Sequence, residues 1–598
     1  AFQQFEEKYL VNGMELVPAN YDLINQHYDY FITGSDQVWN MKITHFDWTY
    51  FLEFVQDQTK KISYAPSFGN SVFPEDAYRK AAEAFSTFHA LSVREKSGAD
   101  LIKKLTGRNA QVVVDPTLLL NRKEWAERTD FKPDIQKYIL VYFPHNQKKV
   151  FDFAEKYRQF ISECKTEREC VKEAVELAKK YGYEDLKDII KEGRSLKAGD
   201  KVYAVNMGKA VVLYNIGKEP LENGMNILGA HIDSPRLDIK QNPLYEDTQQ
   251  ALLETHYYGG IKKYQWVARP LALHGVAALK DGSVVDINIG EDINDPVVGI
   301  SDLLIHLAGE QMSKKADKVI EGEDLNILIG SMPKPADKNE NEKAESELVK
   351  KNILALLKEK YGIEEEDFLS AEIEAVPAGP ARDYGIDRSM IMGYGHDDRV
   401  CAYPSLIAQL ESEDLEKTGV CILVDKEEIG SVGATGMHSR FFENMTAELL
   451  DRTGDYSELK LRRCFTNSNM LSSDVSAAFD PNYASVSEKK NSAYFGKGMV
   501  FNKYTGARGK SGSNDASAEY MGRLRKIMDD GKVYYQTSEL GKVDAGGGGT
   551  IAYILANYGM NVIDSGIAVL NMHAPYEIIS KADLYETYRG YKEFLKNA

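Results

Sequence analysis

The chain has 598 residues, with 73 Lys and Arg against 91 Asp and Glu, a formal net charge of −18 at pH 7 and a sequence pI of about 5.3. That length builds several domains with sizeable cores, and a content of 43% hydrophobic and 27% charged residues is that of a soluble globular protein. The acidic balance excludes nucleic acid as a partner, because such binding rests on Lys and Arg neutralising phosphates, and no apolar run approaches the roughly 18 residues needed to span a bilayer.

No membrane partner is expected, and Ala1–Glu7 shows neither the basic nor the apolar region of a secretory leader. The cysteines Cys164, Cys170, Cys401, Cys421 and Cys464 are odd in number and lack CxxC spacing, so neither a disulfide framework nor a zinc knuckle is expected. A reducing cytoplasm is the simplest location.

The first 150 residues alternate strand-like and helix-like stretches. Tyr28–Asp36 reads as a strand ending in a Gly34-Ser35-Asp36 turn, either an Asp-capped turn or the remnant of a ligand loop. Lys61–Gly69, Ala90–Glu95, Gln111–Thr117 and Tyr138–Phe143 read as further strands, with a helix over Ala82–His89. That alternation predicts a parallel α/β sheet. The stretches "DYFITGSDQVWN", "ISYAPSFG", "LSVREKSG" and "VVVDPTLLL" resemble the first domain of the polysaccharide pyruvyl transferase family. The opening βα unit and the second, sugar-nucleotide-binding half of such an enzyme are missing, so no catalytic residue is assigned there.

Around Asn146–Lys149 the character changes without a Gly/Ser-rich linker, as at a fusion point. Phe151–Glu163 reads as a helix, and Thr166–Glu169 is a capping box opening a second helix, with Val171, Ala174, Val175 and Ala178 on one face and Gly182 as the stop. Asn226–Ala230 is a buried strand running into His231-Ile232-Asp233. Residues two apart on an extended chain share a face, so Asp233 can orient His231 as a metal ligand.

From roughly 241 to 390 alternating strands, with a turn at Lys280–Ser283, predict a β-rich insertion. It carries a helix over Ile300–Gln311 with His306, a charged loop over Pro333–Glu347 and a helix over Ser346–Tyr361. The α/β pattern resumes at Gly395–Arg399, opening a helix to about Gln409 with Asp397 at its positive end. Val420–Val424 is a strand buried on both faces, followed by Asp425-Lys426-Glu427-Glu428-Ile429-Gly430. On an extended segment Glu427 and Glu428 point opposite ways, one towards a metal and one towards its water. Leu471–Asp474 ends in a carboxylate, and Gly566–His573 reads as a strand ending on histidine. His231, Asp397, Glu428, Asp474 and His573 thus sit at or near strand ends, which converge on one edge of an open α/β sheet. Two imidazoles and three carboxylates suit two Zn²⁺-like ions with an open position for water.

The ordered motifs "GAHIDSPRLD", "GHDDRVCAY", "DKEEIGSVG", "LSSDVSAAFDPNY" and "MHAPYE" resemble the M18 family of zinc aminopeptidases, the aspartyl-aminopeptidase type, from about residue 152 to the end. The resemblance implies an α/β fold: a mixed-sheet metallopeptidase domain with helices on both faces (149–240 and 390–598) and an inserted β-rich lid or dimerisation domain (241–389). A partial Rossmann-like α/β domain (1–148) precedes it. It also implies two zinc ions per subunit, replaceable by Co²⁺ or Mn²⁺, with Asp397 bridging, His231 and Asp474 completing one site, and Glu428 and His573 the other. Glu427 would be the general base, Asp233 would orient His231, and His306 would reach a neighbouring subunit's site to bind substrate, or serve only in the subunit contact. Peptide substrates and a homodimer or dodecamer follow.

The family's "TWFDRDL" appears here as Gln265–Leu271, so the preferred N-terminal residue stays open. Lys503–Lys510 either reads an acidic side chain or is a solvated loop, and Gly546–Gly549 either lets the backbone approach the substrate or is a flexible turn. Gly509-Lys510-Ser511 is no phosphate loop, because Tyr504 stands where its first glycine belongs. The alternatives to an aminopeptidase are a pyruvyl-transferase-like protein and a non-catalytic metal-binding assembly protein, in which Glu427 would be a spectator.

Overall fold

A computed structural model describes residues 16–119 except 42–43, 45–46, 70–72 and 75–76, and residues 148–598 except 336–346, 455 and 507–508. The chain divides into two compact units, Ala1–Tyr142 and Phe143–Ala598.

In the smaller unit, Phe31–Thr33 pairs in parallel with Lys61–Ser63, and Ser92–Val93 with Gln111–Val112. The helix Tyr78–Ser86 buries Ala81, Ala84 and Phe85 on one stripe. The core is aromatic, with Trp39 packed among Phe51, Phe68, Phe85 and Phe88. The parallel pairing is as the alternation predicts. The strand expected over Tyr138–Phe143 lies outside the described residues.

The larger unit is built on a nine-stranded mixed sheet. Its centre is four parallel strands in the order Asn561–Gly566, Asn469–Ser473, Met225–His231, Thr418–Val424. Ala210–Asn215 joins them antiparallel on one side, with Lys201–Asn206 antiparallel to it in turn, and Met499–Asn502 joins antiparallel on the other. Thr418–Val424 is buried throughout because helices cover both faces. Cys421 and Leu423 pack into the cluster of the helices Lys148–Glu163, Glu167–Lys180 and His396–Leu410. Val420 and Ile422 pack the other way, against Phe441–Arg452, Glu458–Thr466 and Ala552–Ala556. The capping box forms as read: Thr166 accepts from the Glu169 amide, and the Glu169 side chain accepts from Thr166.

A second, six-stranded antiparallel sheet stands between the two stretches that build the nine-stranded one. It starts at Arg236, in a long hairpin of Arg236–Asp247 with Gln250–Tyr258. Thr248 and Gln249 turn that hairpin, both at positive φ, as a two-residue mirror-type turn requires. Trp266 is fully buried in this sheet's core, and the helix Leu348–Tyr361 packs against it. The helix expected over Ile300–Gln311 is instead a 3-10 turn at Ile305–Leu307 and a short helix at Gly309–Ser313. Leu303, Leu304, Ile305 and Leu307 are all exposed, so no buried apolar stripe supports a longer helix. Most of the charged loop read at Pro333–Glu347 lies outside the described residues.

Candidate metal centre

The carboxyl ends of the central parallel strands meet at one edge, and most of the candidate ligands are there. His231 is the last residue of its strand and Asp474 follows Ser473 directly. Glu427 and Glu428 come three and four residues after Val424. They stand on a 3-10 turn bracketed by Lys426 and Gly430 in the left-handed region, not on an extended segment. His573 lies past the short strand Ala568–Leu570 of a third, five-stranded sheet, at positive φ rather than within a strand. Asp397 is in the first turn of its helix and buried.

Asp397 Oδ1 is 3.3 Å from His231 Nε2, and Asp397 Oδ2 is 3.3 Å from His573 Nε2. Glu428 Oε2 lies 3.5 Å from His573 Nε2, and Glu427 Oε2 3.7 Å from His231 Nε2. Ligand-type atoms of His231, Asp397 and Asp474 lie within 4.8 Å of one another, as do those of Asp397, Glu428 and His573. Two triads therefore share one aspartate. Two donors bound to one tetrahedral zinc, each about 2.0–2.1 Å away, stand roughly 3.3 Å apart, so the approaches of Asp397 to His231 and His573 and of Glu428 to His573 are close to those of donors sharing a cation.

The electrostatics point the same way. Burial pushes Glu428 and Asp474 well above the ordinary carboxyl range and Glu427 up to about 7. Against the opposing effect of burial, the adjacent carboxylates raise His573 to about 10 and His231 well above its ordinary value. Glu428 Oε1 is buried without a hydrogen-bond partner. A buried group of acids borrowing protons in this way lacks positive charge. Zinc would supply it, and the donor set of imidazole nitrogens and carboxylate oxygens suits that ion.

Two further carboxylates hold the ligand-bearing backbone. Asp233 accepts from the Glu427 amide at 3.1 Å and the Glu428 amide at 3.2 Å, while its Oδ1 faces His231 Nδ1 at 3.3 Å. Glu577 does the same at the other end, accepting from the amides of Asp397 at 2.9 Å and His573 at 2.7 Å. The sequence reading assigned Glu577 no role. Its only signal there was a carboxylate four residues after a ligand histidine. His306, by contrast, is exposed on the 3-10 turn of the six-stranded sheet's region and takes no part in the cluster.

Above the cluster opens a cleft of about 620 Å³. Asp397, Glu427, Glu428 and His573 form part of its wall, and Asn502, Lys510, Lys542 and Gly546–Gly549 line other parts.

Comparison with known proteins places the larger unit among the zinc metalloproteases, a class of hydrolase. More narrowly, the chain belongs to the M18 family: the family model "Aminopeptidase I zinc metalloprotease (M18)" matches residues 160–595. The "Probable M18 family aminopeptidase 1" of Clostridium acetobutylicum is 65% identical over 450 residues, which are 75% of this chain and 96% of the relative. The protein of the same description from Thermotoga maritima is 45% identical over 455 residues, 76% of this chain and 98% of the relative. The crystal structure of aminopeptidase I from Clostridium acetobutylicum superposes with a TM-score of 0.71 at 61% identity, covering 76% of this chain and 98% of that one. That of the M18 aminopeptidase from Thermotoga maritima gives 0.72 at 44% identity, with coverage of 76% and 98%.

A polysaccharide pyruvyl transferase model matches residues 2–217. Its last part overlaps the M18 match, and from residue 148 on the described chain folds within the larger unit, where Lys201–Asn206 and Ala210–Asn215 are strands of the nine-stranded sheet. Among the described residues no helix is long and apolar enough to cross a membrane.

Proposed function

We propose that this M18 aminopeptidase removes N-terminal residues from peptides with two zinc ions held by the sheet-edge cluster. Asp397 is shared between them, His231 and Asp474 complete one site, and Glu428 and His573 the other; Co²⁺ or Mn²⁺ can substitute. The observation that carries this reading is the pair of 3.3 Å approaches that turn the two oxygens of Asp397 to two different histidines.

Bound there, zinc supplies Lewis-acid polarisation of the scissile carbonyl and brings the ionisation of water near neutral pH. Glu427 faces the cleft beside His231. As the proposed base, its Oε2 takes a proton from the attacking water and returns it to the leaving amine. Asp233 fixes the His231 ring, and Glu577 anchors the backbone of Asp397 and His573. The cleft admits one end of a peptide and keeps bulk water from the reacting bond. The region 241–389 acts as the lid and self-association domain. The exposed run Leu303-Leu304-Ile305 with Leu307 supports that role, since it offers an apolar surface to a second copy and would carry His306 to that copy's substrate.

Metal analysis of the purified chain tests the centre. Two zinc ions per chain, both lost in Asp397→Asn, are expected. One ion, or two that survive that substitution, would remove the shared-aspartate site.

A further inference from the structure

The six-stranded sheet reaches the cluster through three consecutive residues. Gln250–Tyr258 ends at Tyr258, whose hydroxyl donates to Asp233 Oδ2 at 2.8 Å. Asp233 already holds His231: the ring's Nδ1 is 3.1 Å from the Asp233 carbonyl and 3.3 Å from its Oδ1. Both are acceptors, so Nδ1 carries the hydrogen and Nε2 presents a lone pair to the cluster. Two residues further on, the Gly260 carbonyl accepts from His573 Nδ1 at 3.0 Å. A carbonyl has no hydrogen to give, so His573 is fixed in the same tautomer with Nε2 turned to Asp397 and Glu428.

Between them Gly259 sits at φ +74. A Cβ there would come within 3.2 Å of Glu428 Oε2 and 3.4 Å of Glu428 Cβ. Glycine is needed both for the backbone conformation and for the approach. The ring of Tyr258 is itself held, with the Arg236 guanidinium 3.9 Å from its centroid. Arg236 is buried and pairs with Asp238 at 2.7 Å, Glu374 at 3.3 Å and Glu167 at 3.4 Å.

We propose that Tyr258, Gly259 and Gly260 form a strap that positions both histidine ligands and Glu428, so that the cation affinity of the cluster depends on how the six-stranded sheet is seated. Tyr258 is a positioning residue: it acts through Asp233 and touches no reacting atom. The proposal rests on the two-zinc reading of the same cluster and adds to it the device that sets ligand geometry. Hydrogen bonds behind metal-ligating histidines typically change metal affinity by about 10–100-fold when removed.

The test uses the full chain, with Zn²⁺ affinity measured by chelator competition and the visible spectrum of the Co²⁺-loaded protein as a geometric signature. Tyr257→Phe is the control, since Tyr257 is 43% exposed on the same strand and neighbouring strand residues point to opposite faces. Tyr258→Phe is expected to weaken Zn²⁺ binding about 10–100-fold and to alter the Co²⁺ spectrum. The melting temperature of the metal-stripped protein should match the control. Gly259→Ala is expected to displace Glu428 and change the Co²⁺ spectrum even if Tyr258→Phe proves unstable. Unchanged affinity and spectrum in both variants would overturn the strap. Failure of the unsubstituted chain to bind Zn²⁺ would overturn the two-zinc reading, and the strap with it.

Discussion

The larger unit contains two buried, acid-rich clusters that come within five residues of each other in sequence at His231 and Arg236, and they meet the cost of buried charge in different ways. Around Glu167 the chain supplies its own cations. Lys209 is 3.0 Å from one carboxylate oxygen and Arg236 3.4 Å from the other, and Arg236 also pairs with Glu374. Nearby, the buried Lys165 ammonium meets Glu291 at 2.5 Å and the carbonyls of Pro377 and Gly379. Among the described residues, Asp397, Glu427 and Glu428 instead face the imidazoles of His231 and His573, with Asp474 beside them. Removing charges from water costs several kcal/mol per ion unless they are compensated. The first cluster meets its acids with cations of the chain, although burial still pushes the Glu374 carboxyl well above its ordinary range, and it ties the helix Glu167–Lys180 to the six-stranded sheet. The second, on the two-zinc reading, is completed by cations from outside. Burial of acidic residues does not by itself mark a site; burial without a partner of the opposite sign does.

Glu427→Gln separates chemistry from charge balance most sharply. It is expected to retain metal while turnover falls by about 10²–10⁴-fold, measured with a panel of aminoacyl chromogenic substrates beside metal analysis. Turnover near that of the unsubstituted chain would remove Glu427 as the base.

Arg236→Met attacks the self-compensated cluster, leaving Glu167 and Glu374 buried without their shared cation. A loss of about 3–5 kcal/mol in unfolding free energy is expected, read by denaturant titration of the metal-stripped chain so that metal release does not contribute. A loss under about 1 kcal/mol, the scale of a surface ion pair, would show that the network is solvated.

The acid limb of stability follows from the same pairing. Although burial opposes it, Arg236 and Lys209 hold the Glu167 carboxyl below its ordinary value of 4.5. A depressed folded value means that its stabilisation is complete above that pH and is lost as pH falls towards the folded value. Unfolding free energy should therefore decline below about pH 4.5, and less steeply in Arg236→Met.

Chelation acts on the other cluster. At free Zn²⁺ a hundredfold above the dissociation constant, the ion adds about 2.7 kcal/mol to stability by mass action. EDTA should lower the melting temperature of the unsubstituted chain and leave that of Asp397→Asn unmoved. The smallest effect is expected from deletion of residues 1–147: every cluster residue and every residue named on the cleft wall lies beyond that point, so kcat/KM of the remaining chain should match that of the full chain. A large drop would assign the smaller unit a part in activity.

Much of the candidate site was legible because ligands on parallel strand ends leave local marks. Val420–Val424 followed by two glutamates, and Asn226–Ala230 followed by His231 and Asp233, each show an apolar run that stops on polar residues. The less regular parts were harder to read. The 3-10 turn of Glu427–Ile429 departs from the extended segment that the sequence predicts, because local pattern does not report the positive φ of Lys426. The hairpin turn at Thr248-Gln249 carries no Asn-Gly signature. The run Ile300–Gln311 reads as helical, yet it buries Ile300 and Ala308 and leaves Leu303, Leu304, Ile305 and Leu307 exposed, which is no helical stripe.

By itself the sequence determined the class of each strand and helix with strong periodicity, the acidic character of the surface and the identity of the candidate ligands, because these depend on side-chain type and short-range spacing. Only the tertiary structure decided that Asp397 turns one oxygen to each of two histidines, that Glu577 anchors two of the ligand-bearing segments, and that a strand of another sheet delivers Tyr258 and Gly260 behind the rings. Apart from Glu577 and His573, four positions apart, those relations join residues between 25 and 313 positions apart, and at such separations contact is set by how sheets pack rather than by any local preference of the chain.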